Sequence, residues 1–80
     1  MNNLMSRIEI NPNIMLGKPV IKHTRVTVEI ILKKLSQNIS LDDMLKEYPM
    51  LKIQDIKAAI AYASEAISTD ERHILVGSKR

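Results

Sequence analysis

The stretch from Ser40 to Ala63, SLDDMLKEYPMLKIQDIKAAIAYA, constrains the fold most, because two apolar patterns of helical spacing flank a single proline. Leu41, Met44, Leu45 and Tyr48 recur at i, i+3, i+4 and i+7, which places them on one helix face. Ser40 precedes them and Asp43 follows three residues on, so the hydroxyl accepts an orphan amide while the carboxylate reaches back. Pro49 drives Tyr48 out of the helical region and ends this helix. Beyond the corner Pro49-Met50-Leu51, a second stripe of Ile53, Ile56, Ile60, Ala63 and Ile67 is expected, with Ala59 beside it. Gln54, Lys57, Ala58 and Ala61 fall on other faces. Two amphipathic helices joined by so short a turn fit a helix-turn-helix, and equally an ordinary helical hairpin in a small core.

Upstream, Val28, Ile31, Leu32 and Leu35 share a face behind Thr27, a suitable cap, and Asn38 suits a left-handed end. Lys33 and Lys34 sit near that helix's C-terminus, where the macrodipole favours cations. Three helices are thus predicted, over 28–37, 41–48 and 53–68. Before them residues 1–6 carry no periodic signal, and Arg7-Ile8-Glu9-Ile10 alternates like a short strand. Asn11-Pro12-Asn13 ends that strand, Gly17-Lys18 reverses the chain, and Pro19-Val20-Ile21 extends again. Strands this short have edges that invite another chain, so they are expected to pair across a dimer; the alternative is an irregular arm packed on its own helices.

Eighty residues form one domain, 1–80, and a chain of this size buries only about 60–65% of the surface it exposes unfolded. With no cysteine to staple it and five methionines among many Ile and Leu residues, oligomerisation is the remaining source of stability, and a homodimer is expected. No apolar run approaches the ~20 residues that cross a bilayer and no leader pattern opens the chain, which points to a cytoplasmic protein with no membrane partner. The net charge of +3 is uneven: residues 1–39 carry six bases against two acids, residues 40–69 three against five. The basic N-terminal half attracts phosphate modestly.

A family resemblance rests on Gly17-Lys18-Pro19-Val20-Ile21, Thr24-Arg25-Val26, Tyr48-Pro49, Leu51, Asp55-Ile56 and Ala58-Ala59-Ile60-Ala61-Tyr62-Ala63. Over roughly residues 8–66 the chain resembles family 433 of the domains of unknown function. The resemblance implies a small prokaryotic protein with a homeodomain-like core, and an antitoxin of the VapB type partnered with a PIN-like ribonuclease toxin. Three departures stand out: the family's second glycine before Gly17 is missing, His23 replaces a glycine, and Lys52 replaces a Ser or Thr cap. His23 is therefore expected at positive φ, which histidine tolerates better than most residues. Loss of the cap at Lys52 weakens the third helix start by about 1 kcal/mol.

Little in the chain supports catalysis, and no enzyme activity or cofactor is expected. His23 and His73 stand fifty residues apart, with no cysteine and no ligand-spaced pair, so no metal site is expected. Asp42, Asp43 and Glu47 make an acidic cluster whose first two members suit the positive end of a helix dipole. Neither Gly17 nor Gly77 belongs to a phosphate loop. Arg25 either contacts a phosphate or, as favoured by its place between Ile21 and Val26, bridges the arm to the helices with its five donors.

In a helix-turn-helix the second helix presents its first residues to base edges, here Gln54, Lys57 and Ala58, with Lys52, Lys22 and Arg25 as neighbouring DNA-binding candidates. Asp55 is expected to oppose them by repelling phosphate unless it is neutralised. Lys18, Lys33 and Lys34 offer non-specific support. The tail, 69–80, either frays or adds a capping strand. Alternatively it docks on the toxin, Arg72, Lys79 and Arg80 neutralising acidic groups while Ile74, Leu75 and Val76 fill an apolar groove. The fold class expected is mainly α: an N-terminal β-arm (7–26), a three-helix, homeodomain-like helix-turn-helix core (27–68) and the tail, assembled as a dimer. The expected function is an antitoxin that binds operator DNA and neutralises the PIN-like toxin from an adjacent gene. The alternatives are a stand-alone helix-turn-helix regulator and a protein-interaction adaptor that does not bind DNA.

Overall fold

A computed structural model of the chain describes the backbone of residues 4–77 and side chains from Leu4 to Ser68. Strands β1 (Ile8–Glu9) and β2 (Val20–Ile21) precede helices α1 (Val28–Ser36), α2 (Leu41–Glu47) and α3 (Ile53–Gly77), with 3-10 turns at Met5–Arg7 and Met15–Gly17. The protein is thus a small, mainly helical fold with a two-stranded antiparallel sheet near its N-terminus.

The arm strands β1 and β2, expected to pair across a dimer, are paired with each other within the chain, Ile8 opposite Ile21 and Glu9 opposite Val20. The cause is the intervening loop, which closes on itself. Asn11 Oδ1 accepts from the Asn13 amide at 2.8 Å, the Ile14 amide donates to Asn11 O at 2.9 Å, and the Gly17 amide to Ile14 O at 3.0 Å. Met15, Leu16 and Gly17 all have positive φ, at 49°, 59° and 81°, so the reversal is a left-handed turn with Leu16 at its exposed tip.

A second reversal follows β2. Thr24 Oγ1 donates to Ile21 O at 2.7 Å and accepts from the Val26 amide at 3.0 Å, while the Ile21 amide donates to Val26 O at 2.9 Å. Within this turn His23 has φ 65°, the conformation expected where a glycine was replaced. Asn38, at φ 66°, ends α1 in the left-handed region as expected.

Helix starts follow their caps. Thr27 Oγ1 accepts from the Ile30 amide at 3.0 Å and Ser40 Oγ from the Asp43 amide at 3.1 Å. At α3 the Lys52 side chain supplies no acceptor, but Asp55 Oδ2 accepts from the Lys52 amide at 2.9 Å, the reach-back half of a capping box. The core gathers Ile21, Val26, Val28, Ile31, Met44, Leu51, Ile56 and Ala59, against which Leu32, Leu35, Ile39, Leu45, Tyr48 and Tyr62 pack half-buried. Burial of each large aliphatic side chain stabilises this core by roughly 1.5–3 kcal/mol.

The face of α3 differs from the expected stripe. Ile56 is buried, but Ile53, Ile60 and Ile67 are 36%, 46% and 57% exposed. The inward face is formed by Asp55, Ile56, Ala58 and Ala59, with Tyr62 half-buried beyond. Here the 3-10 turn at Met5–Arg7 and strand β1 lie against the helix, and alanines permit an approach that isoleucines would block. The helix is also longer than the predicted 53–68. No proline or glycine interrupts the sequence between Ile53 and Gly77, the last described residue, so propagation carries the helix through Ile74, Leu75 and Val76 rather than into a strand.

Candidate nucleic-acid interface

The start of α3 and the turn after β2 face one another across a cleft of about 440 Å³, lined by Ser6, Arg7, Ile21, Lys22, His23, Thr24, Met50, Lys52 and Asp55. A shallower recess of about 200 Å³ adjoins it, walled by Glu9, Ile14, His23, Thr24 and Arg25. The hairpin register fixes this arrangement: the Lys22 amide donates to Arg7 O at 2.8 Å, which seats the turn beside the 3-10 segment and so beside α3.

The structure brings together Lys22 and Lys52, residues thirty apart in sequence, on one cleft, with Arg25 on the adjoining recess. All three are exposed, as are Gln54 and Lys57 on the first turns of α3. Ala58 does not join them. It is 0% exposed, so it cannot reach a base edge; its methyl belongs to the packed side of α3.

Two expectations about charge are also corrected. Arg25 makes no hydrogen bond or ion pair among the described residues, and the bridging role expected of it belongs to Arg7, whose Nη1 donates to Asp55 Oδ1 at 2.9 Å. Asp55, in turn, is only 6% exposed and has both oxygens engaged, one by Arg7 and one by the Lys52 amide. Its carboxylate is therefore neutralised within the fold instead of repelling phosphate from the helix start. Sequence reasoning overlooked Arg7; its place on the polar side of an alternating Arg7-Ile8-Glu9-Ile10 run was the only signal, and it named no partner.

Other charged groups are committed elsewhere. Lys18 Nζ donates to Glu29 Oε1 at 2.9 Å, and this hydrogen bond, with the lysine's charge, holds the Glu29 carboxyl below its ordinary value. Lys34 Nζ donates to Glu47 Oε2 at 2.7 Å, and that bond raises the Lys34 ammonium above its ordinary value. Asp42 and Asp43 occupy the first turn of α2, as the dipole favours. Lys33 stays at the surface beside Met15, Thr27 and Ile30. Among the described residues no group of three His, Asp or Glu is placed to hold a metal ion, and no helix is long and apolar enough to cross a membrane. Of the residues expected to bind a toxin, Arg72, Ile74, Leu75 and Val76 lie on the backbone of α3 beyond the described side chains. Lys79 and Arg80 lie outside the described residues.

A family model described as a protein of unknown function (DUF433) matches residues 8–63. Among solved structures the chain is similar to the crystal structure of a DUF433 member protein from Anabaena variabilis ATCC 29413 at 2.00 Å resolution, with a TM-score of 0.73 and 28% identity over 85% of this chain and 67% of that one. No curated protein matches the chain.

Proposed function

The chain belongs to the DUF433 family, and from that premise we propose that it is a DNA-binding antitoxin, not an enzyme, in which α2 and α3 act as a helix-turn-helix of homeodomain-like kind. The observation that carries the DNA reading is the exposed set Lys22, Arg25, Lys52, Gln54 and Lys57 around the start of α3, with the acid of the helix's own first turn, Asp55, buried and neutralised. Lys22, Arg25 and Lys52 contact phosphates and set position; Gln54 pairs with adenine, and Lys57 with guanine or phosphate. The toxin-neutralising role follows from the family resemblance in the sequence: the partner is the PIN-like ribonuclease of an adjacent gene, and the protein works in the cytoplasm.

Two measurements test this. Fluorescence anisotropy with a duplex covering the upstream region of the protein's own gene is expected to show binding that weakens steeply with salt, and co-expression with the adjacent gene product is expected to yield a stable complex. DNA binding without a complex identifies a stand-alone regulator; a complex without DNA binding identifies an adaptor.

A further inference from the structure

The outward side of α3 carries isoleucine at a strict interval of seven: Ile53, Ile60 and Ile67, each more than a third exposed, with Ile74 next in the sequence. Lys57 and Ser64 lie between them on the same exposed side. One isoleucine in every seven residues leaves a narrow apolar row along the outward side of this 25-residue helix, interleaved with Lys57 and Ser64, which a second helix can cover. The chain's own elements do not cover it, because the inward face uses Asp55, Ile56, Ala58 and Ala59 instead.

The geometry points to a second copy of this chain as the occupant, with the two α3 helices antiparallel and Ile60 of one against Ile67 of the other. Charge along the helix selects this arrangement. Its start is basic, with Lys52 and Lys57, whereas the stretch from Glu65 through Asp70 and Glu71 holds three acids against Arg72. A parallel pair sets Lys57 beside Lys57; an antiparallel pair sets it level with Asp70 and Glu71 of the other copy, and the two helix dipoles also oppose.

The seam stands without any DNA reading, and it narrows that one: Lys57 at the seam faces acids of the other copy, so the base contact falls to Gln54. Gln54 and Ala61 lie roughly 100–120° around the helix from the isoleucines, and the core face lies a further third of a turn away. A two-fold axis perpendicular to the helix pair therefore turns both Gln54 residues to the same side. With a 1.5 Å rise per residue and helices about 10 Å apart, the two Gln54 positions are roughly 30 Å apart, near the ~34 Å between successive major grooves on one side of a duplex.

Sedimentation equilibrium of the full chain, with no DNA present, tests the seam. The wild-type protein is expected to be a dimer, Ile60→Lys and Ile67→Lys to weaken it at least about tenfold with helicity retained by circular dichroism, and Leu16→Lys to leave it intact. Because the chain has no cysteine, Ser64→Cys is expected to cross-link two copies under mild oxidation while Ile53→Cys does not. A monomer at every concentration, a dimer untouched by the α3 lysines or broken by Leu16→Lys, or cross-linking through Ile53→Cys overturns the proposal. Failure to bind DNA by a chain that passes these tests counts against the DNA reading alone.

Discussion

Arg7 and Asp55, forty-eight residues apart, meet at 2.9 Å and join the 3-10 turn at Met5–Arg7 to the first turn of α3. Asp55 also accepts from the Lys52 amide, so one buried carboxylate both anchors the arm and starts the helix. The two ends of the pair are unequal: the Asp55 side chain is 8% exposed and that of Arg7 37%.

From that inequality, Arg7→Ala is expected to destabilise the fold by about 2–4 kcal/mol, because it strands a buried carboxylate. Lys18→Ala, which removes a solvent-exposed pair with Glu29, is expected to leave stability close to that of the wild type. Urea denaturation of both variants checks the contrast; equal losses would show that Asp55 gains little from Arg7.

Two of the three departures from the family pattern predict stabilising changes. Lys52→Ser adds a side-chain acceptor at the start of α3 and is expected to gain about 1 kcal/mol. His23→Gly relieves a positive φ and is expected to gain a few tenths to about 1 kcal/mol, whereas His23→Val loses stability. Thermal melts of the three variants decide the matter.

Ala58 and Gln54 separate packing from recognition. Ala58→Leu is expected to cost about 1–3 kcal/mol by overpacking the inward face of α3. Gln54→Ala is expected to leave stability within about 0.5 kcal/mol while lowering affinity for specific duplex by roughly tenfold. Finding the reverse assignment would place α3 the other way round.

Phosphate contacts predict a different signature. Lys22→Ala, Arg25→Ala and Lys52→Ala are each expected to weaken binding to specific and random duplex alike, and to reduce the salt slope by about 1. Anisotropy titrations at several salt concentrations measure that slope. Lys34→Ala, whose charge is engaged by Glu47, is expected to change it less.

Two ion pairs set the pH response at the extremes. Glu29 is held below the ordinary glutamate value, chiefly by its hydrogen bond from Lys18, so its contribution is present above that value and lost as pH falls through the lowered one. Lys34 is raised above the ordinary lysine value of about 10.4, chiefly by its hydrogen bond to Glu47, so its contribution is present below that value and lost as pH rises through the raised one. The stability difference between wild type and Glu29→Gln is expected to shrink on acidification, and that between wild type and Lys34→Met on going strongly alkaline; denaturation at stepped pH measures both.

Local chemistry made much of the fold legible in the sequence. Thr27 and Ser40 cap their helices, Asn38 takes a left-handed conformation, and Pro49 breaks the chain between α2 and α3, because each depends on residues within a turn of itself; the left-handed His23 was expected only from the family resemblance. The basic residues of the candidate interface were legible as well, but not their convergence, which requires the hairpin register that sets Lys22 and Lys52 on one cleft.

Tertiary contacts alone decided which side of α3 faces inward. Hydrophobic periodicity weighs large apolar residues most, and it favoured Ile53, Ile60 and Ile67; close approach of the arm instead selected Ala58, Ala59 and a buried Asp55 that only Arg7 makes tolerable. They also decided that the two strands pair within one chain, since a loop that closes on itself brings Ile8 opposite Ile21 at less entropic cost than a second molecule would. The sequence by itself determined where helices start and turn; packing determined which faces meet, because a side chain's neighbour is set by what can approach it rather than by its own hydrophobicity.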